Sequence, residues 1–270
     1  MVLREELSAA ADRPPPVPGA AQIGMKNLVI IPAYNEEQAL PQTVANLQSL
    51  PDGFEIVIVN DGSRDRTREV AESLARTSLR KLNVVTLPLN GGIGVAMQTG
   101  YLFAAKDRGF RYAIQFDADG QHDASFIQKL VDECEARGLD LCIGSRFLEV
   151  QEGNFQSTFA RRLGIRFFSR LIGALSGVKV TDPTSGFRCA GKRAWAQFAE
   201  RYPDDYPEPE SLFWCARNGL KVGEIPVRMH ERQGGVTSIR YLKTVYYMLK
   251  VSLAILVDRL RAQEHNEDER

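Results

Sequence analysis

The chain has 270 residues, of which 44% are hydrophobic and 25% are charged, with 34 basic and 34 acidic side chains. This composition is typical of a globular protein large enough to bury a sizeable core. The zero formal net charge gives no bulk electrostatic basis for binding nucleic acid. The four cysteines lie apart without a CxxC pair, which argues against a zinc ribbon and against a disulfide framework.

The N-terminal segment is rich in proline. Residues 12–19 read DRPPPVPG, and such a run can propagate neither a helix nor a central strand. We therefore predict a disordered leader over residues 1–24. No uncharged apolar run reaches the length of about 18 residues that a spanning helix needs, so no transmembrane helix is expected.

From Lys26 onwards, short apolar runs alternate with longer mixed segments. Runs that are apolar on both faces are typical of parallel strands covered by helices, and the segments between them are long enough for crossover helices. This rhythm predicts an α/β fold with an open, mostly parallel central sheet flanked by helices. The predicted strands are 28–31, 56–59, 84–87, 113–116 and 139–143, and the predicted helices are 37–49, 64–78, 92–108 and 124–137.

The regular alternation ends after Gly144. The remaining sequence predicts, in turn, a basic helix, a loop, an irregular proline-rich segment, a helix, a strand and a long apolar helix. Pro226 places the strand at an edge of the sheet, since proline cannot donate to a central ladder. These segments span 156–176, 178–190, 202–209, 210–218, 221–229 and 238–261.

Polar clusters follow each of the predicted strands, where ligands bind in open parallel sheets. The sharpest is Asp117-x-Asp119, because two carboxylates at the end of a buried strand repel each other without a counter-charge. A hard divalent cation such as Mg²⁺ supplies that charge. Gln121 could add an oxygen ligand, or His122 a nitrogen if the cation is Mn²⁺. The alternative is a solvated acidic turn.

A glycine-rich segment, Asn90-Gly91-Gly92-Ile93-Gly94, opens the third predicted helix. Glycines at this position could let a phosphate approach backbone N–H groups. The segment follows the third strand and lacks the GxGxxG spacing, so it is not a dinucleotide-binding fingerprint. An ordinary turn is an equally good interpretation of this segment alone.

Together these segments resemble glycosyltransferase family 2, the inverting GT-A type. The resemblance covers about residues 26–235, and DADGQH with DPTSGFR is most similar to the polyprenyl-phosphate (dolichol-phosphate) sugar transferases. It implies a GT-A domain over 25–235. In the remaining 236–270, apolar residues at three- and four-residue steps predict an amphipathic helix followed by a polar tail. The matching segments are IPAYNEE (31–37), VIVNDGSRDRT (57–67), NGGIGVAMQTGY (90–101), QFDADGQHD (115–123), GSRF (144–147) and TDPTSGFR (181–188).

The resemblance also implies roles for individual residues. The implied donor-binding residues are Pro32, Ala33, Tyr34, Glu36, Asp61, Gly92, Asp117, Ala118, Asp119 and Arg232. The implied metal ligands, for Mg²⁺ or Mn²⁺, are Asp117, Asp119 and Gln121. The implied catalytic residues are Asp119, Arg146, Asp182 and Glu210.

The acceptor determines whether a general base is needed. A hydroxyl acceptor requires one, whereas a phosphate is already an anion and needs cations to hold it. The basic helix carries four arginines and no acid over residues 159–175, beside a line of apolar side chains. A solvated basic face is the alternative, and Asp182 could orient arginines or act as the base. The predicted contacts of an acceptor phosphate are Arg146, Arg161, Arg162 and Arg166.

The predicted function is that of a metal-dependent hexosyltransferase that acts on a nucleotide sugar, with UDP preferred over GDP, and on polyprenyl phosphate. We expect a cytoplasmic protein attached peripherally to the inner face of the plasma membrane, with a small membrane subunit as one means of attachment. The C-terminal helix could pack on the catalytic domain, lie in the membrane interface or bind a partner. One alternative is a family 2 transferase with a polysaccharide or protein hydroxyl as acceptor. Another is a non-catalytic subunit that binds sugar nucleotides.

Overall fold

A computed structural model describes residues 26–107, 109–148, 159–230 and 248–259, with the side chains of 159–161 left out. The predictions for the leader 1–24, for Arg232 and for the polar tail lie outside these ranges. So do the early part of the predicted C-terminal helix and the side chain of Arg161.

A seven-stranded sheet forms the centre of the molecule. Its strand order is β3-β2-β1-β4-β6-β5-β7, and all neighbouring pairs are parallel except the two that involve β6. The predicted open, mostly parallel sheet is confirmed. The strands are β1 Lys26–Ala33, β2 Phe54–Asn60, β3 Leu82–Thr86, β4 Phe110–Gln115, β5 Leu141–Ser145, β6 Arg188–Gly191 and β7 Val222–Pro226.

Helices cover both faces of this sheet, because alternate residues of the apolar strands point to opposite faces. Leu28 and Ile30 of β1 belong to one apolar cluster, and Val29 and Ile31 belong to the other. The helices are α1 Leu40–Leu47, α2 Thr67–Thr77, α3 Ile93–Lys106, α4 Ser125–Arg137, α5 Phe159–Ser176, α6 Lys192–Glu200, α7 Pro207–Arg217 and α8 248–259. The first cluster includes side chains of α3 and α5–α8, and the second includes side chains of α1, α2 and α4.

The predicted loop over 178–190 is wrong at its end, because Arg188–Gly191 forms the antiparallel strand β6. This strand lies between β4 and β5 and is fully buried. The helix that follows it, α6, was not predicted either. A four-residue strand that begins with arginine gives no apolar run, so its pairing depends on neighbours distant in sequence.

The proline-rich segment is shorter than the sequence suggests. The prediction that 202–209 is irregular is wrong over its last three residues, since α7 begins at Pro207. Proline fits the first turn of a helix, where its missing N–H has no intrahelical acceptor. The edge position predicted from Pro226 is confirmed, because β7 is the last strand of the sheet. None of the described helices is long and apolar enough to cross a bilayer.

A tight contact fixes the start of α3 against the loop before α7. Gly94 donates its backbone N–H to the carbonyl oxygen of Asp204 at 3.0 Å. A Cβ atom at Gly94 would lie 1.9 Å from the Pro203 carbonyl oxygen, which is far inside van der Waals contact. Only glycine lets these two segments approach so closely.

We expect Gly94→Ala to lower the free energy of unfolding by about 1–3 kcal/mol, because the added methyl group forces α3 and the loop apart. Urea denaturation measures this change. The matched control is Gly173→Ala in α5, where the nearest atom to the new Cβ would be 3.6 Å away. Alanine favours the helix there, so the control should be at least as stable as the parent protein. Equal stability of both variants would contradict the close contact.

Candidate active site

A cavity of about 450 Å³ opens at the carboxyl ends of β1, β2 and β4. It brings together nine of the ten predicted donor-binding residues, all except Arg232, which lies outside the described residues. The lining also includes five residues that the sequence did not single out as donor contacts. The full lining is Pro32, Ala33, Tyr34, Glu36, Asp61, Asn90, Gly92, Ile93, Ala96, Asp117, Ala118, Asp119, Asp205 and Tyr206.

Hydrogen bonds between two loops hold the Tyr34 side of the cavity in place. The backbone N–H of Asn35 donates to Ser63 Oγ at 3.0 Å, and that of Glu36 donates to Thr67 Oγ1 at 2.8 Å. Asn35 has φ 55°, a left-handed conformation that asparagine tolerates better than most residues. The loop after β1 is therefore positioned by the loop after β2.

The two carboxylates of the acidic pair both line the cavity but have different local partners. Asp117 Oδ1 accepts a hydrogen bond from Gln115 Nε2 at 3.2 Å. Asp119 Oδ1 accepts the backbone N–H of Gln121 at 3.0 Å. The backbone carbonyl oxygen of Gln121 accepts the N–H of His230, so its side-chain oxygen is the better candidate ligand for a cation.

His122 lies beneath Asp117 and is almost completely buried. Its Nδ1 accepts the backbone N–H of Asp117 at 3.0 Å, and its ring stacks on Phe187 with centroids 4.7 Å apart. Burial lowers the pKa of His122, against the opposing effect of the Asp117 and Asp119 carboxylates. Since Nδ1 is already an acceptor, His122 supports the backbone of Asp117 and does not present that nitrogen to a cation.

Asp61 is bound to the glycine-rich turn by both of its carboxylate oxygens. Oδ1 accepts the N–H of Gly91 at 2.8 Å, and Oδ2 accepts the N–H of Gly92 at 2.9 Å. Gly92 has φ 89°, which favours glycine. With the N–H of Gly94 bound to Asp204, three N–H groups of this turn already have acceptors. Of the two interpretations of this segment, these contacts favour an ordinary turn at Gly91, Gly92 and Gly94.

Arg146 and Asp182 form a buried, bidentate ion pair. It lies at the same edge of the sheet as Asp117 and Asp119. Nε lies 2.6 Å from Oδ2 and Nη2 lies 2.8 Å from Oδ1. Arg146 Nη2 also donates to Thr184 Oγ1 at 3.0 Å. Asp182 is completely buried, and its oxygens face Arg146. Of the two predicted roles for Asp182, this geometry favours orienting an arginine over acting as a base.

Glu224 of β7 holds the turn that carries Asp182. Its carboxylate accepts the N–H of Thr181 at 2.7 Å and the N–H of Asp182 at 2.9 Å. Burial raises the pKa of Glu224, while these hydrogen bonds oppose the rise. No local sequence pattern indicates this contact, because Glu224 lies 42 residues from Asp182.

Arg188 is a fully buried cation that donates, within the described part of the chain, to uncharged acceptors. Nε and Nη2 both donate to the Ser185 carbonyl oxygen, and Nη1 donates to Ser211 Oγ at 3.1 Å. Burial raises the pKa of Glu208, which the charge of Arg188 opposes and that of Asp117 reinforces. The negative charge of Asp117 therefore acts on Glu208.

Glu210 lies in a different charge environment from Glu208. Burial raises its pKa, and the charges that act on it are those of Arg201, Asp258, Lys250 and Asp204. None of these four groups belongs to the acidic pair. Of the two glutamates, Glu208 is thus the one associated with Asp117.

The predicted arginine row of the basic helix lies on the surface. Arg162 and Arg166 are exposed on α5, with Leu163 and Phe167 beside them. α5 contacts the turn before Asp182, because Ser169 Oγ donates to the Val180 carbonyl oxygen. The helix that carries the arginine row therefore contacts the chain two residues before Asp182.

Comparison with known proteins gives matches over most of the chain. The model of glycosyl transferase family 2 matches residues 28–195. The polyprenol monophosphomannose synthase of Mycolicibacterium smegmatis is 31% identical over 242 residues, covering 87% of this chain and 89% of that protein. The UDP-N-acetylglucosamine–dolichyl-phosphate N-acetylglucosaminyltransferase of Methanococcus voltae is 30% identical over 249 residues, covering 85% and 97%.

The fold matches solved structures at lower sequence identity. Glucosyl-3-phosphoglycerate synthase from Mycobacterium tuberculosis, in complex with Mn²⁺, UDP and phosphoglyceric acid, superposes with a TM-score of 0.62 at 20% identity. The match covers 87% of this chain and 78% of that one. This likeness confirms the expected GT-A fold.

We expect Asp182→Asn to lower the free energy of unfolding by about 3–5 kcal/mol, because it leaves the Arg146 charge buried without its partner. Urea denaturation provides the measurement. The control is Glu72→Gln, which breaks the exposed ion pair with Arg68 in α2 and should cost less than about 1 kcal/mol. If the two substitutions cost the same, the buried pair does not hold the turn.

Proposed function

Because the chain belongs to glycosyltransferase family 2, we propose that it transfers a hexose from a nucleotide sugar to polyprenyl phosphate. The observation that carries the proposal is that Asp117 and Asp119 line the same cavity as Tyr34 and Asp61. A cation held by Asp117 and Asp119 would therefore lie close to a nucleoside bound at Tyr34. The two relatives named above, whose names specify polyprenol and dolichyl phosphates, support the acceptor.

The residues of the acidic pair fit a divalent cation. Carboxylate oxygens are hard ligands, and Mg²⁺ commonly takes one or two of them together with substrate phosphates. Within the described ranges, no group of three or more His, Cys, Asp or Glu side chains is arranged as a metal site. Asp117 and Asp119, with the Gln121 side chain, would therefore hold the ion together with the nucleotide. A bound Mg²⁺ or Mn²⁺ would neutralise charge on the departing diphosphate.

The remaining cavity residues would bind the nucleoside and orient the donor. Tyr34 is 39% exposed and could pack against the base, as aromatic rings do. Asp61 fixes the turn at Gly91 and Gly92, which shapes the opposite wall. Both nucleosides, uridine and guanosine, are compatible with these contacts. We propose UDP as the preferred carrier.

In the proposed reaction, a phosphate oxygen of the acceptor attacks the anomeric carbon while the bond from that carbon to the diphosphate oxygen breaks. The configuration inverts, and a nucleoside diphosphate leaves. The nucleophile is already an anion, so no base is required. The positions of the two predicted base candidates support a reaction without a base. Asp182 is bound to Arg146, and the charges that act on Glu210 are not those of Asp117 or Asp119. Arg146, oriented by Asp182, would contact the acceptor phosphate.

A polyprenyl phosphate acceptor resides in a membrane, so we propose that the protein works peripherally at the cytoplasmic face, where nucleotide sugars are available. Attachment through the chain's own surface is the simplest arrangement. A small membrane subunit is the alternative.

One observation favours a second candidate function, transfer to a saccharide or protein hydroxyl. Glu208 is charge-coupled to Asp117, and burial raises the pKa of its carboxyl, a property of general bases. In that case Glu208, rather than Asp182 or Glu210, would accept the hydroxyl proton.

We expect Asp119→Asn to lower turnover on the order of a hundredfold or more in saturating Mn²⁺, because one ligand to the cation is lost. Release of nucleoside diphosphate measures turnover, and circular dichroism checks the fold. The control is Asp123→Asn on the same loop, whose Oδ1 accepts the Ser125 N–H at 2.9 Å and which does not line the cavity. Near-normal turnover of Asp119→Asn would contradict the metal role.

Acceptor competition separates the two candidate functions. Supplied with UDP- and GDP-hexoses and Mn²⁺, the protein should glycosylate a short polyprenyl phosphate, but neither the matching polyprenol nor a free saccharide. Glu208→Gln should then leave transfer to the phosphate within a few-fold of the parent rate. Transfer to hydroxyl acceptors that is lost in Glu208→Gln would instead establish the second function.

A further inference from the structure

The C-terminal helix α8 presents apolar side chains on two opposite faces. Its inner face buries Val251 and Ile255 completely or nearly so. On its outer face, Leu249 is 68% exposed and Leu253 is 63% exposed, with Leu256 beside them. At 3.6 residues per turn, these leucines lie almost directly opposite the buried pair. A helix that needed only to pack on the protein would carry polar residues there.

Polar contacts hold α8 in this orientation. Arg217 Nη1 lies 3.0 Å from Asp258 Oδ2, and Arg259 donates to the Leu175 carbonyl oxygen at 2.5 Å. Lys250 Nζ lies 2.5 Å from Oδ2 of Asp205, a residue of the cavity lining. The outward direction of the leucines is therefore set by contacts on three sides, and the helix is connected to the candidate active site.

α5 continues this apolar surface. A Cβ at Gly164 would lie 3.9 Å from Met248 Sδ, so this side of α5 faces α8. Next to it around the helix lie Leu163 and Phe167, which are 58% and 41% exposed. The exposed apolar side chains of the two helices are thus neighbours.

An arginine row borders the apolar side chains on the side nearer to the Asp182 turn. Arg166 and Arg170 are exposed and lie between Phe167 and Ser169 on the helical projection of α5. Ser169 contacts the Val180 carbonyl oxygen, two residues before Asp182. α5 contains no acidic residue. Around α5, the side that contacts the segment before Asp182 is therefore followed first by arginines and then by exposed apolar side chains.

We propose that this surface, formed by Leu163, Phe167, Leu249, Leu253 and Leu256 with Arg166 and Arg170, docks onto an anionic lipid bilayer. Exposed leucines and phenylalanine insert among acyl chains, while arginines pair with lipid phosphates at the level of the headgroups. Charge complementarity favours the bilayer, because the border on α5 carries arginines and no acidic residue and so matches an anionic surface. The inference rests on the proposed function in one respect: docking would bring the Asp182 turn close to a lipid acceptor in the bilayer.

Flotation with vesicles of phosphatidylglycerol and phosphatidylcholine in equal parts, without acceptor or nucleotide, tests the proposal on the full chain. We expect binding that weakens with salt and is much weaker on pure phosphatidylcholine. Leu249→Ser combined with Leu253→Ser should lower partitioning at least about tenfold. Arg170→Glu should lower it by roughly tenfold.

Matched controls use exposed residues on other elements. Leu79 and Leu102 are also exposed, so Leu79→Ser combined with Leu102→Ser removes the same chemistry elsewhere. Arg76→Glu, at an exposed position in α2, is the charge control. Both should float like the parent chain. Equal losses in the test and control variants would overturn the proposal, as would the absence of vesicle binding.

Two further measurements separate this proposal from its rivals. Sedimentation velocity that shows a dimer dissolved by the Leu249 and Leu253 substitutions, without vesicle binding, would assign the surface to a second copy and overturn the proposal. Transfer to a short polyprenyl phosphate in detergent tests the proposed function independently. Vesicle binding without transfer would refute only that function, and transfer without vesicle binding would refute only the docking surface.

Discussion

The end of β4 is the point on which the candidate site depends. On one side β4 pairs in parallel with β1, whose end carries Tyr34, and on the other it pairs antiparallel with β6. Because β6 runs in the opposite direction, the turn that precedes it arrives where β4 ends, with Arg188 opposite Gln115. The same inversion sets Asp182 against Arg146 at the end of β5. In the proposed reaction, the donor and the acceptor would therefore meet at Asp117, although the segments that bind them are distant in sequence.

The sequence was sufficient to predict the first half of this arrangement. Apolar runs without polar interruptions predict parallel strands covered on both faces, and β1, β2 and β4 are indeed buried. The carboxyl ends of neighbouring parallel strands must lie at one edge, so polar residues that follow each strand come together there. This is why Tyr34, Asp61, Asp117 and Asp119 could be grouped before any geometry was known, and they line one cavity.

The second half depends on long-range contacts that leave little local pattern. Arg188 reads as a loop residue, yet it begins a buried strand and its charge is accommodated by the Ser185 carbonyl and the Ser211 hydroxyl. Glu224 holds the Asp182 turn from across the sheet, and nothing in its sequence neighbourhood indicates this contact. The glycine-rich turn illustrates the same difficulty. The sequence does not show that Asp61 accepts the N–H groups of Gly91 and Gly92, or that the Asp204 carbonyl accepts that of Gly94.

The central claim is that Asp117 and Asp119 bind a divalent cation jointly with a nucleoside diphosphate. Electron paramagnetic resonance of free Mn²⁺ during titration with the protein, with and without UDP or GDP, measures this coupling directly. The account predicts tight uptake of one Mn²⁺ per chain only when a nucleoside diphosphate is present, and loss of that uptake in Asp117→Asn and Asp119→Asn. Uptake that is the same in the parent and in both variants would contradict it.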